Sequence, residues 1–258
     1  MKMSKSKIQT YINCPLQFKL QYINELPSDT MWYKRGRDVH RICEKFFDYA
    51  NPNRIQQNPR EEMMKVVKML AGSDWEAYKM YLENFVNLEE EMWHFKTKGS
   101  WRPVLREKYI NLGYLSGIID RVDYIQKGDF FELGRKAVFD KEGFYLLDYK
   151  SSPAKALKHH MLEMSIYVHL FEQATGIRAA KVGIIFLKDM GVRIGEVTDE
   201  DIACALDLKK KVNERVEAEE FNGVWYDSKT CFWCPYKEVC QKLAKGETLD
   251  KNKFGDIL

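Results

Sequence analysis

Two acidic side chains and a lysine follow apolar stretches in the middle of this 258-residue sequence. Asp148 and Lys150 come directly after residues 144–147, which are all apolar and indicate a central strand buried on both faces. Residues two apart on a strand point to the same side, so the carboxylate and the ammonium would lie side by side. Asp120 ends a similar apolar stretch earlier in the chain. Two carboxylates from neighbouring strands beside one lysine predict a divalent-metal site with a charge stabiliser.

The sequence has an acid at Asp120 and, further along the chain, Asp-x-Lys at residues 148–150. This pattern resembles that of the PD-(D/E)XK nuclease superfamily, in its RecB-like branch. The resemblance implies that Asp120 and Asp148, with the Tyr149 carbonyl, hold Mg²⁺ or Mn²⁺. It also implies that Lys150 assists the attacking water and stabilises the transition state. A metal-dependent deoxyribonuclease follows as the expected activity.

Two further segments carry the same resemblance. Residues 36–40 read Gly-x-x-Val-His, which is similar to the histidine motif of RecB-like exonucleases, where the imidazole is a metal ligand. His40 would then be a ligand, although a histidine in such a place can equally be a hydrogen-bonded structural residue. The family usually has Gln-x-x-x-Tyr on the helix after the lysine, and this chain has Glu163 and Tyr167. The tyrosine matches as a catalytic-site residue, but the replaced glutamine leaves open whether Glu163 contacts DNA, metal or neither.

Other charged residues are weaker candidates for the site. Glu107 could face the metal or form a cross-strand ion pair. Asp123 is the alternative to Asp120; because they are three apart on one strand, they face opposite sides. A basic and aromatic neighbourhood could contact single-stranded DNA, or its aromatic rings could pack inside the protein. It comprises Trp32, Tyr33, Lys34, Arg35, Arg37, Trp101 and Arg102, and Lys155 is a further candidate DNA contact.

Three cysteines near the end of the chain indicate a metal centre. Cys231, Cys234 and Cys240 form C-x-x-C followed by a third thiol, which leaves a fourth ligand position open. Cys14 is the natural candidate, and thiolate ligands alone allow Zn²⁺ or an iron–sulfur cluster. This closure resembles the iron–sulfur nucleases of the RecB-like family, including CRISPR-associated members and AddB, which implies a [4Fe-4S] cluster that links the two chain ends.

The pattern of elements predicts an α/β (α+β) fold with a restriction-endonuclease-like mixed sheet flanked by helices. Three segments are expected: an N-terminal helical region (1–103), the nuclease core (104–222) and a C-terminal cysteine segment (223–258) that packs back on the N-terminus. Within them we expect helices over about 60–70 and 74–95, with Glu89–Glu91 on a solvated face. Strands are expected over 104–111 and 114–125, and a helix from Pro153 to Thr175 that ends at Gly176.

Composition narrows the functional class. The net charge of +3 reflects 41 basic against 38 acidic side chains, so any DNA contact must come from a local groove. The sequence has no apolar run of membrane-spanning length, and we expect a cytoplasmic protein without membrane contact.

The resemblance implies an exonuclease on single-stranded DNA ends, with protein partners in CRISPR adaptation, recombination or DNA repair. Two alternatives stay open: a DNA-binding or assembly subunit that has lost catalysis, and a zinc-stabilised adaptor.

Overall fold

The structure is a computed structural model, and it describes residues 2–27, 31–96, 101–127, 129, 131–133, 137–224 and 228–245. The chain divides into two compact units. One, called the sheet unit, is Lys34–Ala205; the other, called the terminal unit, combines Met1–Tyr33 with Leu206–Leu258. None of the described helices is long and apolar enough to cross a membrane.

The described helices and strands follow one another along the chain in this order: β1 (Met3–Ser4), α1 (Lys5–Asn13), α2 (Pro15–Phe18), a π-turn (Lys19–Ile23), α3 (Met31–Tyr49), α4 (Pro52–Ile55), α5 (Pro59–Ala71), α6 (Trp75–Phe95), β2 (Leu105–Asn111), β3 (Leu115–Ile125), β4 (Phe131–Leu133), β5 (Ala137–Phe139), β6 (Gly143–Lys150), α7 (Met161–Thr175), β7 (Lys181–Phe186), β8 (Gly191–Gly195), α8 (Asp199–Glu217), α9 (Ser228–Phe232) and α10 (Lys237–Ala244).

The sheet unit is built on a mixed sheet in which the strands lie in the order β2-β3-β6-β7-β8. Neighbouring strands are antiparallel except β6 and β7, which run parallel and are joined by the crossover through α7. Helix α7 packs on β3 and β6, and the aromatic residues of α3 and α6 share a core with Tyr149 of β6. The predicted mixed sheet flanked by helices is therefore confirmed.

Strand β6 lies in the middle of this sheet because its side chains are apolar in both directions. Tyr145, Leu146 and Leu147 are all at most 1% exposed. Burial of alternate residues on both faces is typical of a strand that has helices above and below it. Asp148 and Lys150 lie at the carboxyl end of this strand, directly after its apolar core residues. The packing of the strand therefore fixes the position of both charged groups.

The segment after β6 differs from the sequence expectation. The helix expected after Pro153 begins only at Met161, because residues 153–156 are not helical, with Ala156 extended, and residues 157–160 form a 3₁₀ turn. Asp189 helps to hold this non-helical segment, since its carboxylate accepts a 2.9 Å hydrogen bond from the Ala154 amide. The helix ends as expected at Gly176, whose φ of 72° is the left-handed conformation that glycine adopts readily.

The connection between β3 and β6 contains a short antiparallel hairpin of β4 and β5. Gly128 and Gly134 of this connection lie outside the described residues.

The terminal unit brings the first helices of the chain together with the last one. Ser4 caps α1, and Pro15 occupies the first turn of α2, positions at which serine and proline are favoured. Tyr236 is 2% exposed and donates a 2.8 Å hydrogen bond to the Leu26 carbonyl. Because this bond joins residues 210 positions apart, the two chain ends share one small core.

Candidate active site

Three carboxylates from adjacent strands fall in one row across the sheet. Strand β2 pairs with β3 through Arg106↔Arg121 and Lys108↔Ile119, so Glu107 lies opposite Asp120. The β3–β6 pairing ends at Arg121↔Leu147, and one further step in that register sets Asp120 opposite Asp148. Glu107 has a φ of 43°, a conformation rare for residues other than glycine, and it interrupts the β2–β3 pairing. Backbone strain of this kind is concentrated at functional sites.

His40 of α3 reaches the same acids. Its Nδ1 lies 3.2 Å from Asp120 Oδ2, and the Tyr149 amide donates a 3.0 Å hydrogen bond to that oxygen. His40, Glu107 and Asp120 each offer a ligand atom within 4.8 Å of the others. One imidazole nitrogen and two carboxylate oxygens suit Mg²⁺ or Mn²⁺. The chemistry of the donor set therefore fits the divalent ion that the sequence predicts.

The electrostatics of this group favour a bound cation. Burial, and then the nearby charge of Asp120, raise the pKa of Glu107 to about 7. Burial opposes protonation of His40, but its hydrogen bond to Asp120 and the charges of Asp120 and Asp148 raise its pKa above the usual value. The contributions of Asp120 and Asp148 to these two shifts show that negative charge is crowded here. A divalent cation would relieve that crowding.

Asp148 and Lys150 form an ion pair beside this group. Lys150 Nζ lies 2.6 Å from Asp148 Oδ2 and 3.0 Å from Glu163 Oε1, so the ammonium is between two carboxylates. Asp148 and Glu163 are 2% and 5% exposed. Burial alone would lower the pKa of Lys150, but the two acids outweigh it and raise the pKa above its usual value. The lysine is therefore a fixed positive charge next to the candidate ligands.

Helix α7 supplies the rest of the site. Glu163 lies in its first turn, and the Tyr167 hydroxyl, one turn further on, is 3.4 Å from Glu163 Oε1. His160, just before the helix, has its Nδ1 3.6 Å from Glu163 Oε2. His160 is not among the residues predicted for the site. It lies three residues before Glu163, and residues with this spacing are neighbours on one helical face, so the spacing could have indicated the contact.

Comparison with known protein families agrees with this geometry. A family model described as the PD-(D/E)XK nuclease superfamily matches residues 2–241. The chain belongs to the PD-(D/E)XK nuclease superfamily. A search of curated proteins finds no match to it.

In this superfamily member, Asp123 is not part of the candidate metal site. The alternation of β3 turns Arg121 and Asp123 to the face opposite Asp120, where both are buried. Asp123 Oδ1 is 2.7 Å from Lys96 Nζ, and its Oδ2 is paired with Arg121. Both oxygens are therefore engaged, and Asp123 does not serve as the alternative to Asp120.

Glu89 belongs to the same buried network, so the expectation that it lies on a solvated face is wrong. Glu89 is 1% exposed and pairs with Arg121, which also donates a 2.8 Å hydrogen bond to the Tyr149 hydroxyl. Since the Tyr149 amide holds Asp120, the network supports the backbone from which the candidate ligands project.

Only some of the residues predicted to contact DNA have side chains on the surface. Trp101 is fully buried and its ring packs edge-on against Trp93 at 5.0 Å, so of the two alternatives for this ring the structure shows packing inside the protein. Arg35 donates a 3.2 Å hydrogen bond to the Tyr81 hydroxyl, whereas Arg37 and Lys155 are exposed. The side chains of Trp32 and Tyr33 lie outside the described residues. Arg102 donates a 2.6 Å hydrogen bond to the carbonyl of residue 50 and is thereby tied to α3.

The four cysteines that the sequence groups together line one cavity of the terminal unit, namely Cys14, Cys231, Cys234 and Cys240. Burial and the neighbouring thiols raise the pKa of Cys240 to about 11. Among the described residues, no three of these sulfur atoms lie within 4.8 Å of one another. Thiolate sulfurs are ligands of soft metal centres, so the chemistry of this donor set fits such a centre.

Proposed function

We propose that this protein is a metal-dependent deoxyribonuclease that hydrolyses phosphodiester bonds, acting as an exonuclease on single-stranded DNA ends. One observation carries the proposal: in a member of a nuclease superfamily, a histidine and two acids converge beside an aspartate–lysine ion pair. A DNA-binding subunit without catalysis would have no need to keep all these groups together in a partly buried site.

His40, Glu107 and Asp120 would hold the ion, with Asp148 and the Tyr149 carbonyl as further ligands. When bound, a divalent cation supplies Lewis-acid activation of the phosphate and of the attacking water. Asp120 is already oriented for this role, because the Tyr149 amide and His40 both contact its Oδ2. Pre-oriented ligands lower the reorganisation needed on binding.

Lys150 would stabilise the charge that develops on the phosphate during the displacement, and it would orient the water. Its side chain is 22% exposed, so the ammonium can reach a substrate although most of the side chain is covered. A fixed positive charge in a low-dielectric site stabilises a transition state much more than a solvated one does. Tyr167 would act with it through the shared contact to Glu163.

The substrate would be held mainly through its phosphates. Arg37 and Lys155 are exposed cations of the sheet unit, and Arg35 adds a third one that is partly buried. Contacts to phosphate give binding that weakens steeply with salt and carries no sequence preference. The preference for single-stranded ends comes from the resemblance to the histidine-bearing exonucleases.

An end-labelled digestion with Mn²⁺ or Mg²⁺ tests the proposal. We expect linear single strands to be degraded and closed circular single strands to resist. The Asp120→Asn and Lys150→Met variants should each lose at least about 100-fold in rate. The Glu83→Gln variant, on α6, serves as a matched control and should retain full activity. Cleavage of circles at the rate of linear strands would refute the exonuclease assignment, and full activity in both variants would refute the site.

We also propose that Cys14, Cys231, Cys234 and Cys240 hold a [4Fe-4S] cluster that links the chain ends. The four thiols line one cavity, which supports a shared metal centre, and the preference for a cluster over Zn²⁺ comes from the resemblance to iron–sulfur nucleases. Protein purified without oxygen should be coloured and contain iron and sulfide, and Cys14→Ser should lose both while Cys204→Ser keeps them. Colourless protein with stoichiometric zinc would contradict the cluster.

A further inference from the structure

We propose that Glu163 is a positioning residue for Lys150, and that His160 holds Glu163 in turn. The proposal rests on the nuclease function above. The structure brings the carboxylate of Glu163 to the lysine rather than to the His40–Glu107–Asp120 group. The glutamate therefore has a partner of opposite charge at hand.

The two oxygens of Glu163 face different neighbours. Oε1 lies 3.0 Å from Lys150 Nζ and 3.4 Å from the Tyr167 hydroxyl, both within hydrogen-bond distance, while Oε2 lies 3.6 Å from His160 Nδ1, within ion-pair distance only. Glu163 is also in the first turn of α7, where the helix dipole stabilises a negative charge. A buried carboxylate with these contacts can serve as an anchor for the ammonium.

Lys150 needs this anchor because its other partner has a second task. Asp148 Oδ2, 2.6 Å from the ammonium, belongs to a candidate metal ligand. A carboxylate that turns toward a divalent ion loses part of its hold on a neighbouring lysine. Glu163 lies outside the candidate ligand group, so its contact with Lys150 can persist with an ion bound. A glutamine at this position could accept the hydrogen bond, but it would lack the Coulomb attraction between a carboxylate and the ammonium.

His160 has an arrangement that matches a supporting role. Its ring packs against Phe186 with centroids 5.6 Å apart, and its Nε2 is buried without a hydrogen-bond partner among the described residues. Of its two ring nitrogens, Nδ1 is thus the one that faces an acid. His160 acts on Lys150 only through Glu163.

The test compares Glu163→Gln and Lys150→Ala, alone and combined, with Glu172→Gln as a control. Glu172 is on the same helix but pairs with Arg178 at 2.7 Å. Two quantities are measured: steady-state cleavage of a single-stranded oligonucleotide with Mn²⁺, and Mn²⁺ affinity by magnetic resonance in the absence of DNA. We expect Glu163→Gln to lower kcat about tenfold. KM and the Mn²⁺ dissociation constant should stay within about twofold. The double variant should be no slower than Lys150→Ala, since groups that act as a unit are not additive.

Each other outcome overturns the proposal. Weakened Mn²⁺ binding in Glu163→Gln would make Glu163 a metal ligand, and unchanged kcat would mean that the lysine needs no anchor. Additive losses in the double variant would show that Glu163 acts independently of Lys150. A loss in Glu172→Gln equal to that in Glu163→Gln would mean that any charge removed from the helix has this effect. If the wild-type protein cleaves no DNA, both the proposed nuclease function and this role of Glu163 are overturned. If the wild-type protein is active and any one of the four results above is obtained, only the role of Glu163 is overturned.

Discussion

Replacing Glu107 with glutamine should stabilise the metal-free protein and destabilise the metal-bound one. Burial and Asp120 raise the pKa of Glu107 to about 7, so its charged form is unfavourable in the folded state. The folded protein consequently binds more protons than the unfolded chain between pH 4.5 and about 7, and stability is lost as the pH rises through that window. Above it, Glu107→Gln removes the whole penalty.

The size of the effect follows from the pKa. A shift from 4.5 to about 7 corresponds to about 3 kcal/mol. Because the carboxylate is partly exposed, solvent screening reduces this, and we expect about 1.5 kcal/mol at pH 8. For a chain of this length, that raises the Tm by about 4 °C. With saturating Mn²⁺ the sign should reverse, since the wild type gains stability from an ion that the variant binds less tightly.

The Tm of both proteins is measured by thermal unfolding under three conditions: with EDTA at pH 8, with EDTA at pH 4, and with Mn²⁺ at pH 8. The difference between Glu107→Gln and wild type should vanish at pH 4, where both side chains are neutral. Glu83→Gln, in the middle of α6, is the control and should behave as wild type throughout. A Glu107→Gln protein that is less stable than wild type in EDTA at pH 8 would refute the reasoning, as would a wild type that gains nothing from Mn²⁺.

Three further predictions concern packing and substrate binding. Arg121→Met removes the ion-pair partner of buried Glu89 and one of the two of Asp123, and should lower the free energy of unfolding by about 3–5 kcal/mol, measured in urea; a loss under 1 kcal/mol would contradict the buried network. Gly117→Ala brings a new methyl group 3.3 Å from the Tyr167 ring, and should cost about 1–3 kcal/mol and lower kcat; an unchanged kcat would mean that α7 tolerates the shift. The double variant Arg37→Ala/Lys155→Ala should raise KM for DNA and reduce its salt dependence without a change in kcat; an unaltered KM would exclude these contacts.

Local patterns were sufficient to predict the central strand and its charged end. The apolar run before Asp148 predicts β6, and the spacing of two predicts that Lys150 lies beside the aspartate, as the structure shows. The alternation along β3 likewise predicts that Asp123 points away from Asp120. These predictions need only the period of a strand and the hydrophobicity of its neighbours.

Contacts between distant elements could not be predicted in the same way. Glu107 joins the site through the register of β2 on β3, which no short-range pattern specifies. Glu89 looks like a surface residue in its acidic run, and only the approach of Arg121 from β3 explains its burial. His160 depends on where α7 begins, and that start is delayed by the non-helical segment that Asp189 holds.

Anomalous diffraction from crystals soaked in Mn²⁺ tests the central claim most directly. We predict a peak coordinated by His40, Glu107 and Asp120, next to the Lys150 ammonium. No peak at this position with Mn²⁺ bound elsewhere, or an ion that contacts none of these three side chains, would contradict the account.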